Sequence, residues 1–152
     1  MNSAQTSRVS EQTEQNRQAV YRMSDEAITP GNFDLLDELV APNYIEHSPM
    51  GDWDIDALKA ILIPFREALT NFLMARELVL VDGDYVVART KFTGKFERAF
   101  NSPNGVIPPN GNDIVLNVVN IFRFDESGRI AEIWEQWDNA SYLTQLGVMS
   151  PP

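Results

Sequence analysis

Residues 74–96 read MARELVLVDGDYVVARTKFTGKF and predict the element around which the fold is built. Apolar and polar side chains alternate on both sides of DGD, and alternation of this kind is typical of strands that bury one face. An Asp-Gly turn between two such runs predicts an antiparallel hairpin. A second hairpin is predicted at residues 114–137, where IVLNVVNIFRF and RIAEIWEQW flank the turn DESG.

Helices are predicted on either side of these hairpins. Apolar residues recur at three- and four-residue spacing in residues 14–29, 32–40 and 54–72, which is the period of an amphipathic helix, and Phe65 lies on the inner face of the third helix. A short final helix is predicted at residues 139–147. Helices segregated from antiparallel hairpins predict an α+β domain. A strongly curved sheet wrapped against a helix makes a cone with an apolar pocket.

The chain of 152 residues predicts one domain, residues 15–147, with a flexible N-terminal tail at 1–14 and a C-terminal tail at 148–152. Residues 97–113, ERAFNSPNGVIPPNGND, are dense in Pro, Gly and Asn. This composition predicts an irregular connection that either crosses the surface or covers a site as a lid.

Composition excludes several classes of function. The net charge of −10 disfavours nucleic acid and anionic membranes as partners. The absence of cysteine and the single histidine, His47, exclude cysteine nucleophiles, disulfides and thiolate metal sites within the chain. No phosphate-binding loop or GxGxxG turn is present, so no cofactor is expected. The polar N-terminus lacks the apolar middle of a signal peptide, which predicts a cytoplasmic protein.

Four stretches resemble the SnoaL-like polyketide cyclases of the nuclear-transport-factor-2-like superfamily: NYIEHSP at 43–49, DGDYVVARTKFTGKF at 82–96, IFRFDESGRIAEIWEQWD at 121–138 and YLTQLG at 142–147. The resemblance implies a cone-shaped α+β barrel, a homodimer and, for the cyclase branch, a cofactor-free intramolecular aldol condensation of a hydrophobic oxygenated small molecule. The superfamily also holds isomerases, dehydratases, epoxide hydrolases and proteins that only bind a ligand, so these alternatives stay open.

The resemblance gives Asp138 a role, because in the cyclases an aspartate near the end of the last strand acts as acid and base. Asp138 either caps the final helix or removes a proton next to a carbonyl. An apolar wall of Trp134 would desolvate the carboxylate and make it a stronger base. Trp134 and Asp138 are four residues apart and are therefore predicted to share the pocket face of the strand. Trp137 is predicted to point away, into helix packing or a dimer contact.

The other candidate residues each have a structural alternative. His47 is either a hydrogen-bonded structural residue or a pocket residue that binds a carbonyl oxygen or partners Asp138 in proton transfer. Asn120 shares the parity of Val118 and Phe122, which is predicted to be the cavity side. The remaining candidates for substrate contact, any of which can also serve as a core or surface residue, are Tyr44, Trp53, Met50, Phe65 and Tyr21.

Overall fold

The computed structural model describes residues 3–151, apart from the side chains of residues 5–7 and 9. The helices are α1 (Ser3–Arg22), which continues into a π-helical turn (Met23–Ile28), α2 (Leu36–Leu39), preceded by a 3-10 turn (Phe33–Leu35), α3 (Ile55–Ala68) and α4 (Asn139–Gln145). The strands are β1 (Val40–Ser48), β2 (Gly51–Trp53), β3 (Leu69–Asp82), β4 (Tyr85–Phe96), β5 (Phe100–Ser102), β6 (Gly105–Ile107), β7 (Asp113–Phe124) and β8 (Ile130–Trp137).

Both predicted hairpins form, and they supply four adjacent strands of one curved sheet. The six strands lie in the order β2-β1-β8-β7-β4-β3, and all neighbours are antiparallel except β1 and β8, which are parallel. The α+β class is therefore confirmed. The predicted barrel is wrong in one respect, because the outermost strands β2 and β3 do not pair and the sheet stays open.

A β-bulge in β3 shapes the concave face of this sheet. Arg76 pairs with Thr90 and Leu78 pairs with Arg89, so Glu77 is an extra residue on its strand. A bulge shifts the alternation of side chains and increases the local twist. As a result Arg76 and Val79, which are three residues apart, both face the interior. Arg76 shares this side with the buried Met74, two residues earlier.

The helices differ from prediction at their ends. The helix predicted at 14–29 begins at Ser3, within the segment predicted as a flexible tail; residues 1, 2 and 152 of the two predicted tails lie outside the described residues. A side-chain pair one turn apart, Gln12 to Asn16 at 2.8 Å, joins this polar helical stretch to the predicted helix. The segment predicted as irregular contains the small hairpin β5–β6.

The core lies between the concave face of the sheet and the helices. Strand β7 shows the alternation most regularly, since every second residue from Ile114 to Phe124 is buried. The π-helical turn and α3 cover this face with Met23, Ile28 and Phe65. None of the helices within residues 3–151 is long and apolar enough to cross a membrane.

Candidate active site

A cavity opens between the concave face of the sheet and α3. About 60 Å³ within it is open to a water-sized sphere. Three ionisable side chains, Glu46, Arg76 and Glu135, contribute to an otherwise largely apolar wall. The apolar and aromatic side chains around them are Met23, Ile28, Met50, Trp53, Leu58, Ile61, Leu62, Phe65, Met74, Phe92, Leu116, Val118, Phe122, Trp137 and Tyr142.

Glu135 occupies the inward face of β8. Its Oε1 accepts a hydrogen bond of 2.6 Å from Nδ2 of Asn120. Burial raises the pKa of Glu135 to about 7, although the charge of Arg76 and the Asn120 hydrogen bond both act to lower it. Glu135 is therefore present in both acid and base forms near neutral pH, which is the condition for a group that must accept a proton and return it.

Arg76 is fixed beside this carboxyl by three hydrogen bonds. Its Nη1 donates to Oγ1 of Thr90 at 2.8 Å and to Oδ1 of Asn120 at 3.3 Å, and its Nε donates to the carbonyl of Val20 at 3.3 Å. The guanidinium carbon also lies 5.1 Å from the ring centroid of Phe122. Nη2 has no partner among the described residues. Burial lowers the pKa of Arg76 to about 10, so at neutral pH it supplies a cation with an unused N–H group.

Glu46 reaches the same cavity from β1. Its side chain is buried, and its Oε1 accepts a hydrogen bond of 2.7 Å from the Tyr44 hydroxyl. Its other oxygen, Oε2, has no partner among residues 3–151. Burial and the negative charge of Glu135 raise the pKa of Glu46 well above its usual range, against the opposing effects of Tyr44 and Arg76. The environment of Glu46 therefore favours its protonated form over its charged form.

The two tryptophans of β8 have the opposite arrangement to the predicted one. Ile133 is fully buried and fixes the parity of the strand, so Glu135 and Trp137 face the cavity. Trp137 stacks on Trp53, with ring centroids 6.3 Å apart. Trp134 lies on the outer face of the sheet, where it stacks on His47 at 5.6 Å. Trp134 is therefore not a wall of the cavity.

Asp138 also lies outside the cavity. It is exposed, and its Oδ1 accepts a hydrogen bond of 3.0 Å from the backbone N–H of Ser141, which makes it the N-cap of α4. Asp138 follows the last residue of β8, and neither it nor Trp134 is among the residues that line the cavity. The predicted position of Asp138 in an apolar pocket is wrong, and the capping alternative describes the structure.

His47 belongs to the outer face as well. Its Nδ1 lies 2.9 Å from Oδ1 of Asp52, and its Nε2 lies 2.6 Å from Oε2 of Glu132. The hydrogen bond with Glu132 raises the pKa of His47 most, and the one with Asp52 raises it further. His47 neither lines the cavity nor contacts Asp138, so its predicted position at the pocket is wrong.

The remaining predicted residues divide between the cavity and its surroundings. Asn120 is fully buried on the inward face, as its parity predicts, and it binds Glu135 from there. Tyr44 is buried behind Glu46. Tyr21 is partly buried against the core and is not one of the residues that line the cavity. Three predicted residues do line it: Met50, Trp53 and Phe65.

Sequence reasoning missed all three ionisable residues of the cavity. Counting alternate positions from Ile133 in β8 reaches Glu135 on the buried side, and counting from Tyr44 in β1 reaches Glu46 in the same way. That signal was available in the sequence. Counting from the buried Met74 reaches Arg76 as well, whereas counting back from the buried Val79 does not, because the bulge at Glu77 breaks the alternation of β3.

A second depression adjoins the cavity beneath the hairpin β5–β6. It measures about 220 Å³ and shares Met50, Ile61 and Tyr142 with the cavity wall. Its other side is lined by residues 102–107, which belong to the segment rich in proline and glycine. The depression and the cavity therefore form adjacent compartments with common apolar residues.

The structure is an open α+β cone with an apolar cavity between the sheet and the helices, into which two carboxyls and a guanidinium project. The family model described as SnoaL-like polyketide cyclase matches residues 18–146. The chain belongs to this family.

Solved structures have the same fold. A protein from Jannaschia sp. CCS1, named as a SnoaL-like polyketide cyclase, superposes with a TM-score of 0.75 and 23% identity, over 92% of this chain and 95% of that one. IdmH from Streptomyces antibioticus, named as a polyketide cyclase, superposes with a TM-score of 0.71 and 24% identity, over 88% of this chain and 99% of that one. AclR from Streptomyces galilaeus, named as a hydroxylase, superposes with a TM-score of 0.72 and 14% identity, over 95% of this chain and 85% of that one. No protein in the curated set matches the chain.

Proposed function

We propose that the protein is an enzyme that cyclises or isomerises a hydrophobic, oxygenated small molecule of polyketide type. Glu135 is the general acid and base, and no bound cofactor takes part. The observation that carries the proposal is the placement of Glu135 in an apolar cavity beside Arg76, with a pKa raised to about 7. Membership of the SnoaL-like polyketide cyclase family supports the substrate class.

The reaction begins with proton transfer from carbon. Ionised Glu135 takes the proton from a carbon next to a carbonyl, and the electron pair of the broken C–H bond moves onto the carbonyl oxygen to give an enolate. The free N–H of Arg76 Nη2 stabilises the negative charge on that oxygen. In a cyclisation the enolate carbon then attacks a second carbonyl of the same molecule, and the new alkoxide takes the proton back from Glu135.

The walls of the cavity contribute by shape. Apolar side chains that fold a flexible chain so that its two reacting carbons meet supply a proximity effect. The 60 Å³ of open space is small beside ligand pockets of about 300–1,000 Å³. We therefore place the reacting end of the substrate in the cavity and the remainder in the depression beneath β5–β6, past Met50 and Ile61.

We also propose that two copies of the chain associate through the outer face of the sheet. The register places Leu80 beside Val87, Val87 beside Ile121 and Ile121 beside Trp134, in one row across four strands. The first three are 57%, 36% and 38% exposed. A continuous apolar row of this kind is uncommon on a monomer, and a second copy supplies a surface of matching composition.

The proposed chemistry is tested by isotope exchange at carbon. Ethyl benzoylacetate, an apolar β-keto ester, is incubated with the protein in D₂O, and loss of its C2 proton signal is followed by NMR. Wild-type protein is expected to accelerate the exchange over buffer, and Glu135→Gln is expected to lower the acceleration by about 100-fold or more. Binding of the ester without any acceleration by the wild type would favour a protein that only holds its ligand.

A further inference from the structure

We propose that Glu46 is a hydrogen-bond donor of the active site: its neutral carboxyl, through Oε2–H, and Arg76, through Nη2–H, together hold the substrate oxygen on which negative charge develops. This proposal rests on the proposed function, in which Glu135 takes the proton. It adds a second carboxyl with the opposite role and defines the ligand as an enolate or another oxyanion attached to an apolar body.

The unpartnered atoms of the cavity carry this assignment. Buried polar atoms in proteins almost always have a hydrogen-bond partner. Within the described part of the chain, only Glu46 Oε2 and Arg76 Nη2 are buried side-chain atoms without one, and both residues line the same cavity. Every other polar atom of the Arg76 guanidinium and the Glu46 carboxyl is engaged. Both free atoms therefore belong to residues of the same largely apolar wall.

The surrounding structure holds both donors in place. Glu46 is 1% exposed, and the Tyr44 hydroxyl fixes its Oε1, which leaves the proton of the neutral acid on Oε2. Arg76 is anchored through Nη1 and Nε, which leaves Nη2 as its free end. Donors fixed before the reaction stabilise a developing oxyanion without the cost of reorganisation.

Burial first, and the charge of Glu135 second, raise the pKa of Glu46 and favour its neutral form. The ionisable groups that act on Glu46 are Tyr44 on its own strand, Glu135 on β8 and Arg76 on β3. The negative charge of Glu135 raises the pKa of Glu46 further, and the positive charge of Arg76 opposes this only in part. Glu46 is fully enclosed, whereas Glu135 is partly exposed and accepts a hydrogen bond from the Asn120 side-chain amide. A pair of acids whose environments separate their pKa values in this way divides into a donor and a base.

The chemistry requires no proton loss from Glu46. The proton removed from carbon goes to Glu135, and the electron pair goes to the carbonyl oxygen. That oxygen accepts hydrogen bonds from Glu46 Oε2–H and Arg76 Nη2–H. A substrate without a carbonyl or an equivalent oxygen at this position leaves both buried groups unpaired, so the site selects against it.

The test uses 4-nitrophenolate as an oxyanion probe and 4-nitrotoluene as a probe of similar shape without the oxygen. Binding to wild type, Glu46→Gln and Glu46→Leu is followed by absorbance. The amide of Glu46→Gln keeps a neutral donor, so phenolate affinity is expected to fall by less than about tenfold, whereas Glu46→Leu is expected to lower it by about 30-fold. Nitrotoluene affinity is expected to change little. If both variants bind phenolate more tightly than wild type, Glu46 is ionised and the proposal is wrong.

A second measurement is independent of both turnover and the folding of the leucine variant. The infrared spectrum of wild type minus that of Glu46→Gln at neutral pH is expected to show the carbonyl band of a protonated carboxyl. A carboxylate band in its place would overturn the proposal. Loss of exchange in Glu135→Gln together with unchanged phenolate binding in Glu46→Leu would refute the donor alone. If Glu135→Gln exchanges at the wild-type rate while phenolate binding changes as expected, the role of Glu135 as the base is refuted and the role of Glu46 as the donor stands.

Discussion

Asn120 connects the Glu135 carboxyl of the cavity to the Arg76 guanidinium. Its Nδ2 donates to Glu135 at 2.6 Å, while its Oδ1 accepts from Thr90 at 2.7 Å and from Arg76 at 3.3 Å. Both ends of a fully buried amide are therefore engaged, which fixes the orientation of the Glu135 carboxyl. An asparagine in the middle of an apolar strand has its explanation in this network.

Asn120→Ala is expected to move the pH profile of the exchange reaction. The Asn120 hydrogen bond lowers the pKa of Glu135, so its loss raises that pKa above about 7. The acidic limb of the rate profile, which follows ionisation of Glu135, should therefore shift to higher pH. Asn117→Ala, on an exposed position of the same strand, is the matched control. An unchanged limb in the Asn120 variant would mean that the amide does not tune the base.

Substitutions of Asp138 are expected to affect stability and to leave the chemistry intact. Asp138→Ala removes the N-cap of α4 and should cost about 1 kcal/mol of unfolding free energy. Asp138→Asn keeps a capping oxygen and should cost little. Chemical denaturation measures both, and exchange of ethyl benzoylacetate should proceed at the wild-type rate in each. A strong loss of exchange in the asparagine variant would return the acid and base role to Asp138.

The raised pKa of Glu135 gives the stability of the protein a definite dependence on pH. The carboxyl has a pKa of 4.5 in its ordinary state and about 7 in the folded protein, so its stabilising contribution is complete below about pH 4.5. That contribution is lost as the pH rises through about 7. The unfolding free energy of wild type relative to Glu135→Gln should therefore fall across this window. A relative stability that increases with pH would contradict the assigned shift.

The apolar row on the outer face is expected to hold a homodimer together. Ile121→Glu places a charge in the middle of the row, next to Val87 and Trp134, and should give a monomer by light scattering after size exclusion. Met149→Glu, at an exposed apolar residue away from the sheet, is the control and should stay dimeric. A wild-type protein that is monomeric at high micromolar concentration would refute the association.

The sequence predicts the fold well because its two hairpins have a strict period of two. Their strands end where Asp-Gly and Ser-Gly turns predict, and Asn120 falls on the predicted face. The hairpin β5–β6 was not predicted, since three-residue strands between prolines carry no period.

The site was harder to predict for two physical reasons. In β8 a tryptophan was assigned to the interior in preference to a glutamate, although Ile133 sets the opposite parity. In β3 the bulge at Glu77 puts Arg76 and Val79 on the same side, and one extra residue in a strand leaves no mark in the composition. Resemblance to a family transferred the role of a strand-end acid to Asp138, whereas the carboxyl inside the cavity is three residues earlier.

The central claim is that Glu135, and not Asp138, is the base. The most direct test compares C2 exchange of ethyl benzoylacetate by wild type, Glu135→Gln and Asp138→Asn at neutral pH, with equal folding checked by circular dichroism. We expect Glu135→Gln to lose the acceleration by about 100-fold or more and Asp138→Asn to keep it. Full exchange in Glu135→Gln, with or without loss in Asp138→Asn, would contradict the claim.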